Sequence, residues 1–243
     1  MELINEVYVK KLINEGKVQP KGSITVSENQ LFTPSAIEYL NDKNIRIVRG
    51  EQTPPQDSRN TFQTVFGGVM INKPEHMTHL KGNILVFKDH PVIKYRGALD
   101  YLESEIIMAQ ITAKNNGYTD VVTDLGEIIE LVRKMIRVEI TGEKLDDFTL
   151  QGLNAEQMRE HSHHSTKHYG ISHFLPTYTH GEVVACLNKL RTITRKTELI
   201  AYDAFKDQYG NVERNDIVQA LNRLSSVFWI MMCKLIKGLY KKD

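Results

Sequence analysis

The sequence predicts a mainly α protein: an antiparallel helical bundle of four to five long helices behind a small N-terminal α/β module. Three observations carry that expectation. From Pro91 onward, apolar residues recur at alternating three- and four-residue spacing through four long stretches, as in helices that each bury one stripe. The connections between those stretches are short, which makes consecutive helices antiparallel neighbours. Before residue 50, short β-branched runs alternate with short helical ones. The polar stretch Glu51 to Asn60, with Pro54 and Pro55 paired, then reads as a linker or loop. The expected domains are residues 1–72, the module with its linker, and residues 73–243, the bundle.

Taken in order, Leu3 to Ile13 has helical spacing and Gly22 to Val26 is a short β-branched run. Thr33 is placed to cap a helix whose first residue is Pro34, where the missing N–H costs nothing. That helix runs through Leu40, ends within Asn41 to Asn44 and leads into the strand-like Ile45 to Val48. In the bundle, Val92, Tyr95, Leu99, Leu102, Ile106, Ala109 and Ala113 form one seam. After an Asn115-Asn116-Gly117 turn, Val121, Leu125, Ile128, Val132 and Met135 form the next. Asn154-Ala155-Glu156-Gln157 is a capping-box start for a short helix. A long helix is expected over about 180–208, broken by Gly210, and a last one buries Ile217, Leu221, Leu224, Phe228, Met231 and Leu235.

Composition narrows the partners. Formal net charge is +1 and the pI about 7.8, so bulk electrostatics give no case for nucleic acid or acidic membranes. The longest apolar run, Val227 to Cys233, is far too short to span a bilayer. The N-terminus has no basic start followed by an apolar core, so no secretory signal is expected there. Cys186 and Cys233 read as reduced, semi-buried thiols of a cytoplasmic protein.

The stretch Leu187 to Leu199 organises the rest. At about 100° per residue, Arg191, Arg195 and Glu198 point within roughly 60° of each other. Beside them runs an apolar or small stripe of Val183, Leu187, Leu190, Thr194, Thr197, Ala201 and Ala204. The helix therefore packs on one side and carries two guanidinium groups and a carboxylate along the edge of that packing. Guanidinium forks bind phosphate oxygens bidentately and stay charged at any relevant pH. On charge alone, a solvated i, i+4 network is the commoner meaning of such a pattern.

The wording of three blocks points further. The first is Asn83 to Ile93 followed by Arg96 to Ser104. The second is His173-Phe174-Leu175-Pro176 with Leu190 to Glu198, and the third is Leu221-Asn222-Arg223-Leu224-Ser225. In this order the chain resembles the ATP:cob(I)alamin adenosyltransferases. Phe32 to Ala36, Tyr39-Leu40 and Met77 to Leu80 favour the ethanolamine-utilisation type, which is related to the propanediol-utilisation type. The resemblance implies transfer of the 5′-deoxyadenosyl group of ATP to Co(I), with release of inorganic triphosphate. Arg191 and Arg195 would then stabilise the leaving triphosphate, with Mg²⁺ bridging phosphates. By the family pattern Glu198 and Asn222 line the nucleotide site, and Lys88 matches a lysine beside the triphosphate. Asp100 matches an aspartate that pairs with Arg191 across a subunit interface. Family enzymes also exclude the lower axial ligand of the corrinoid with an aromatic near the Leu-Pro turn. Phe174 is the candidate, with His173 where the related type has its phenylalanine.

The resemblance further implies a homo-oligomer (dimer or trimer), an electron donor for cobalt, and ethanolamine ammonia-lyase as the consumer of the product. The expected place is the cytoplasm or a bacterial microcompartment within it. Departures from the pattern matter. Thr78 to Asn83 stands where the propanediol type has a Gly-Asp phosphate loop, so ATP contacts from Thr78, His79 or Asn83 rest on position only. Leu199 and Ser226 replace an arginine and an aspartate common in that type. Phe62 to Phe66 stands where many ethanolamine-type enzymes have Cys-Cys-x-x-Cys, so no structural transition metal is expected there.

His161, His163, His164 and His168, with His173 and His180 beyond, look like a metal site, and His164 and His168 at i, i+4 could ligate zinc on a helix. No cysteine or carboxylate set completes a tetrahedron by spacing, and corrin contact or loop positioning, or no special role, are the competing meanings. Two other readings of the whole stand beside the enzyme. One is a non-catalytic corrinoid carrier or chaperone, and the other a histidine-rich metal-binding protein.

Overall fold

The computed structural model describes residues 2–19, 22–26, 30–49 and 61–243, in two compact units, Met1–Thr61 and Phe62–Asp243. The first unit contains β1 (Glu2–Ile4), α1 (Glu6–Asn14), β2 (Ser23–Val26), β3 (Gln30–Phe32), α2 (Pro34–Asp42) and β4 (Arg46–Arg49). β1 pairs in parallel with β3, and β2 with β4. Parallel partners require a crossover rather than a hairpin, and the two short helices lie within those crossovers. Val9, Ala36 and Leu40 are fully buried at the centre, with Ile4, Ile24, Val26 and Ile45 around them.

The expected helix from Leu3 to Ile13 is shorter than its spacing suggested. Leu3 and Ile4 belong to β1, because Asn5 caps the helix, its side chain accepting the Tyr8 N–H at 2.9 Å. An asparagine there competes with continued helix and sets the start. At α2 the expectation holds, with Thr33 Oγ1 accepting the Ala36 N–H at 3.3 Å and Pro34 in the first turn. Glu51 to Asn60, expected as a linker, lies outside the described residues.

In the second unit the division falls at 61/62 rather than the expected 72/73. The physical reason is a four-stranded sheet of β5 (Phe62–Thr64), β6 (Val69–Met70), β7 (Met77–Lys81) and β8 (Ile84–Phe87), in the order β6-β5-β8-β7. β5 pairs in parallel with β8, which ties the segment from residue 62 to the chain just ahead of the helices. Four long helices follow, α3 (Pro91–Asn115), α4 (Thr119–Thr141), α7 (Glu182–Phe205) and α8 (Asn215–Lys237), with α5 (Ala155–His163) and α6 (Ser165–Tyr169) between α4 and α7.

α7 packs against both α3 and α8, and α3 against α4. The expected seams are the core. Tyr95, Leu99, Leu102, Ile106, Val121, Leu125, Ile128 and Met135 are all buried in one cluster. Each such side chain contributes roughly 1.5–3 kcal/mol of transfer free energy. α8 touches α4, α5, α6 and α7, which is why Val227 to Cys233 can be apolar all round and still be buried. α7 ends at Phe205, earlier than expected. Lys206 turns extended, and the Asp207 side chain takes the Tyr209 and Asn211 N–H groups at 2.8 and 2.9 Å. The capping box at Asn154 and Gln157 is formed in both directions.

Candidate active site

The packing stripe of α7 does what its sequence requires. Val183, Leu187, Leu190, Thr194, Thr197 and Ala201 are buried. The two threonines discharge their hydroxyls onto the Leu190 and Ile193 carbonyls at 2.8 and 3.0 Å. Along its edge stand Arg191, half-buried, and Arg195, exposed. Arg191 makes one long hydrogen bond, from Nε to Asn188 Oδ1 at 3.3 Å. Burial, and then the adjacent Arg195 charge, hold its pKa below the ordinary arginine range. Arg195 has no hydrogen bond or ion pair among the described residues. Two cations held side by side without a carboxylate are an arrangement that an anion completes.

One turn further, Glu198 meets α8. Asn222 Nδ2 donates to Glu198 Oε1 at 3.0 Å, and Asn222 Oδ1 accepts from Arg223 Nη1 at 2.7 Å. The structure thus joins two of the expected residues directly and adds to them, through Asn222, one that the sequence reading did not single out. Arg223 Nε is shielded from solvent and has no partner. Burial and the nearby Arg159 depress the Arg223 pKa, and Glu198 partly offsets them. A lone arginine between Leu221 and Leu224 reads as surface charge. The only signal for it was its place beside Asn222 in a block already noted.

Thr78, His79 and Lys88 are elsewhere, on β7 and just after β8. None is hydrogen-bonded or ion-paired to Arg191, Arg195, Glu198 or Asn222 among the described residues. His79 donates Nδ1–H to the Gly82 carbonyl at 3.1 Å and rests against the Phe62 ring, while Lys88 is exposed. β7 is held down by Arg96, which reaches the His79 and Leu80 carbonyls at 3.2 and 2.7 Å and forks onto Glu139 at 2.6 and 3.1 Å. Asp100 is exposed on α3 and makes no ion pair among the described residues. In particular, it does not meet Arg191.

His173 and Phe174 converge on one ring, Trp229 of α8, at centroid distances of 5.0 and 4.7 Å. Phe174 also lies 5.2 Å from His180 and packs on the main core. Leu175 and Tyr178 beside them are 78% and 92% exposed.

A cleft of 780 Å³ opens between the chain after α4 and the start of α8. None of the expected site residues lines it, although Arg223 does. Its wall carries Glu143, Asp146, Asp147, Glu156, Glu213 and Asp216 against Lys144, Arg214 and Arg223. That excess of carboxylates disfavours a polyphosphate on its own, so the α7–α8 edge, rather than the cleft, is the candidate anion site.

The histidines are not arranged as the i, i+4 expectation required. His164 leaves helical geometry between α5 and α6, so His164 and His168 do not share a helix face. Glu160, His161 and His168 come together instead. Both cysteines are free, and burial pushes the Cys233 thiol up to about 11.

Comparison with known proteins agrees with this fold. The family described as Cobalamin adenosyltransferase matches residues 70–235. A corrinoid adenosyltransferase EutT of Salmonella typhimurium is 33% identical over 252 residues, covering 94% of this chain and 92% of the relative. The EutT of Escherichia coli K12 is 31% identical over 223 residues, covering 83% and 81%. Among solved structures, a variant PduO-type ATP:corrinoid adenosyltransferase from Lactobacillus reuteri, complexed with cobalamin and ATP, superposes with a TM-score of 0.50. It is 15% identical and covers 79% of this chain and 97% of that one.

Proposed function

We infer the reaction from one premise: the chain belongs to the cobalamin adenosyltransferase family. Its activity is ATP-dependent adenosylation of a corrinoid. Co(I) attacks C5′ of ATP, a cobalt–carbon bond forms, and the C5′–oxygen bond breaks with triphosphate leaving. Because Co(I) is itself a strong nucleophile, the protein supplies no base. It has to hold C5′ in line with cobalt and stabilise the charge that builds on the leaving oxygens.

Arg191 and Arg195 take the second task in this reading. The observation that carries it is their lack, among the described residues, of any carboxylate partner beside the Glu198–Asn222–Arg223 chain. Glu198 and Asn222 position the nucleotide of MgATP, and Arg223 joins them. Thr78, His79 and Lys88 reach ATP only if the nucleotide extends toward β7. The reading places the corrinoid against the His173–Phe174 segment, with Phe174 excluding the lower ligand, and orders the long helices as an antiparallel bundle.

The working unit is a homo-oligomer. On α3, Tyr101, Ile107, Met108 and Ile111 are exposed and fall within an arc of roughly 120° that also holds Asp100. A second copy covering that stripe would give Asp100 its arginine. The product serves ethanolamine ammonia-lyase in this reading. A carrier without turnover would have no use for paired arginines at a triphosphate.

The test is anaerobic mixing of protein, MgATP and chemically reduced cobalamin, following loss of Co(I) absorbance and appearance of a light-sensitive product. Phe174→Ala should slow turnover more when Co(II) must be reduced on the enzyme than when Co(I) is supplied. Equal losses would make Phe174 a packing residue on Trp229.

A further inference from the structure

We propose that Glu160, His161 and His168 form a binding site for a divalent first-row transition ion, zinc foremost, at the corner between α5 and α6. The inference does not depend on the adenosylation site. One ligand atom from each of the three side chains lies within 4.8 Å of the others. Around zinc, with bonds of about 2.0–2.1 Å, tetrahedral ligands stand about 3.4 Å apart, so the cluster needs a closure of at most about 1.4 Å. Two imidazoles and one carboxylate, with the fourth position left to water, are a known zinc donor set.

Details of the neighbourhood favour a ligand role over simple packing. His161 Nδ1 is hydrogen-bonded to the Tyr169 hydroxyl at 2.8 Å. With the proton on Nδ1, that bond leaves the Nε2 lone pair free, as the outer partner of a metal-bound histidine does. Tyr169 is buried and its phenol is pushed up to about 12 by burial, so it remains a neutral partner. His168 Nε2 is shielded from solvent. It touches Glu160 Oε2 as an ion-pair contact but makes no well-directed hydrogen bond.

Two features set the character of the site. The His161 and His168 rings are stacked at 3.7 Å and nearly parallel, so they must fan apart for both lone pairs to face one ion. Lys167 bonds the other Glu160 oxygen at 2.9 Å, and Lys234 of α8 adds positive charge near His161. Both lysines weaken the site relative to the same ligands without them. An ion here staples α5 to α6, at the root of the segment that carries His173 and Phe174.

The experiment titrates Co²⁺, as a visible probe for zinc, into chelator-stripped protein without an affinity tag. The expected result is a saturable ligand-field absorbance at one ion per chain, displaced by Zn²⁺ and lost in His161→Gln and His168→Gln. Tyr169→Phe should keep the fold by circular dichroism and bind about tenfold more weakly. If the histidine variants do not fold, Glu160→Gln at the surface decides, with loss of the absorbance expected. No saturable absorbance, or one that persists in the folded variants and moves only with His163 or His164, would overturn the proposal.

Discussion

Arg96 and Arg214 are held alike, and Arg191, Arg195 and Arg223 are held like neither. Arg96 forks onto Glu139 and spends its remaining donors on two β7 carbonyls. Arg214 forks onto Asp216 at 3.1 and 2.9 Å and reaches the Val138 and Glu143 carbonyls at 3.2 and 2.9 Å. Each ties loop or strand backbone to a helix and is nearly saturated. Among the described residues, the arginines of the α7–α8 edge have between them one long bond to Asn188 and one to Asn222. Because a guanidinium carries five donors, most of theirs are unspent. The contrast sets cations whose donors are spent on the fold beside cations whose donors are mostly unspent, within one unit and one residue type.

The largest effect that could break this contrast is at Arg96. Its pair with Glu139 is mostly withdrawn from solvent, at 18% and 9% side-chain exposure. Arg96→Ala leaves that carboxylate unpaired, and the loss of stability should be about 3–5 kcal/mol, with the folded fraction still turning over. Denaturant unfolding alongside the adenosylation assay measures both. Arg195→Ala should do the reverse. Turnover falls about 10²- to 10³-fold if a transition-state donor is lost, while stability moves by less than about 0.5 kcal/mol. If the two variants behaved alike, saturation would not be what distinguishes the two groups.

A smaller effect sharpens the ligand side. Asn222→Ala removes the link between Glu198 and Arg223, and kcat/KM for ATP should drop by about 1.5–3 kcal/mol, the worth of a hydrogen bond to charged groups. An unchanged value would confine Asn222 to helix packing.

The smallest is a pH effect on the structural side. Burial alone would raise the Asp216 pKa, but the Arg214 hydrogen bond, the Leu145 N–H and the Arg214 charge bring it below the ordinary value. A carboxyl depressed in the folded state contributes stability above its unfolded pKa of about 3.9 and loses it as pH falls through the folded value. Thermal melts should therefore show this contribution intact at neutral pH and fading below about pH 4. Arg214→Gln should flatten that part of the profile.

The long helices were legible because a 3.6-residue period repeated over twenty or more residues has few other meanings. The sheet of β5 to β8 was not. Its strands run from two to five residues, and β7 buries only Met77 before alternating partly buried and exposed positions, too short a record for a period to emerge. Arg191, Arg195, Glu198 and Asn222 stood out in the sequence because a helix face and family-like wording coincide there, and the structure brings Glu198 and Asn222 into contact. Arg223 did not, since its Nε becomes meaningful only once it is seen shielded and unpartnered. Arg96 and Glu139 are joined only through the folded chain. The arrangement of the histidines was not legible for a local reason: the break at His164 brings His168 back onto His161 rather than one turn along a helix.

The most direct test of the account is calorimetric titration of inorganic triphosphate, the leaving group itself, into the native protein and into Arg195→Ala and Arg96→Ala. The account predicts saturable binding to the native protein, weakened by at least about tenfold in Arg195→Ala and retained in folded Arg96→Ala. Equal affinity in the native protein and Arg195→Ala would contradict the claim that the unsaturated arginines of α7 hold the triphosphate.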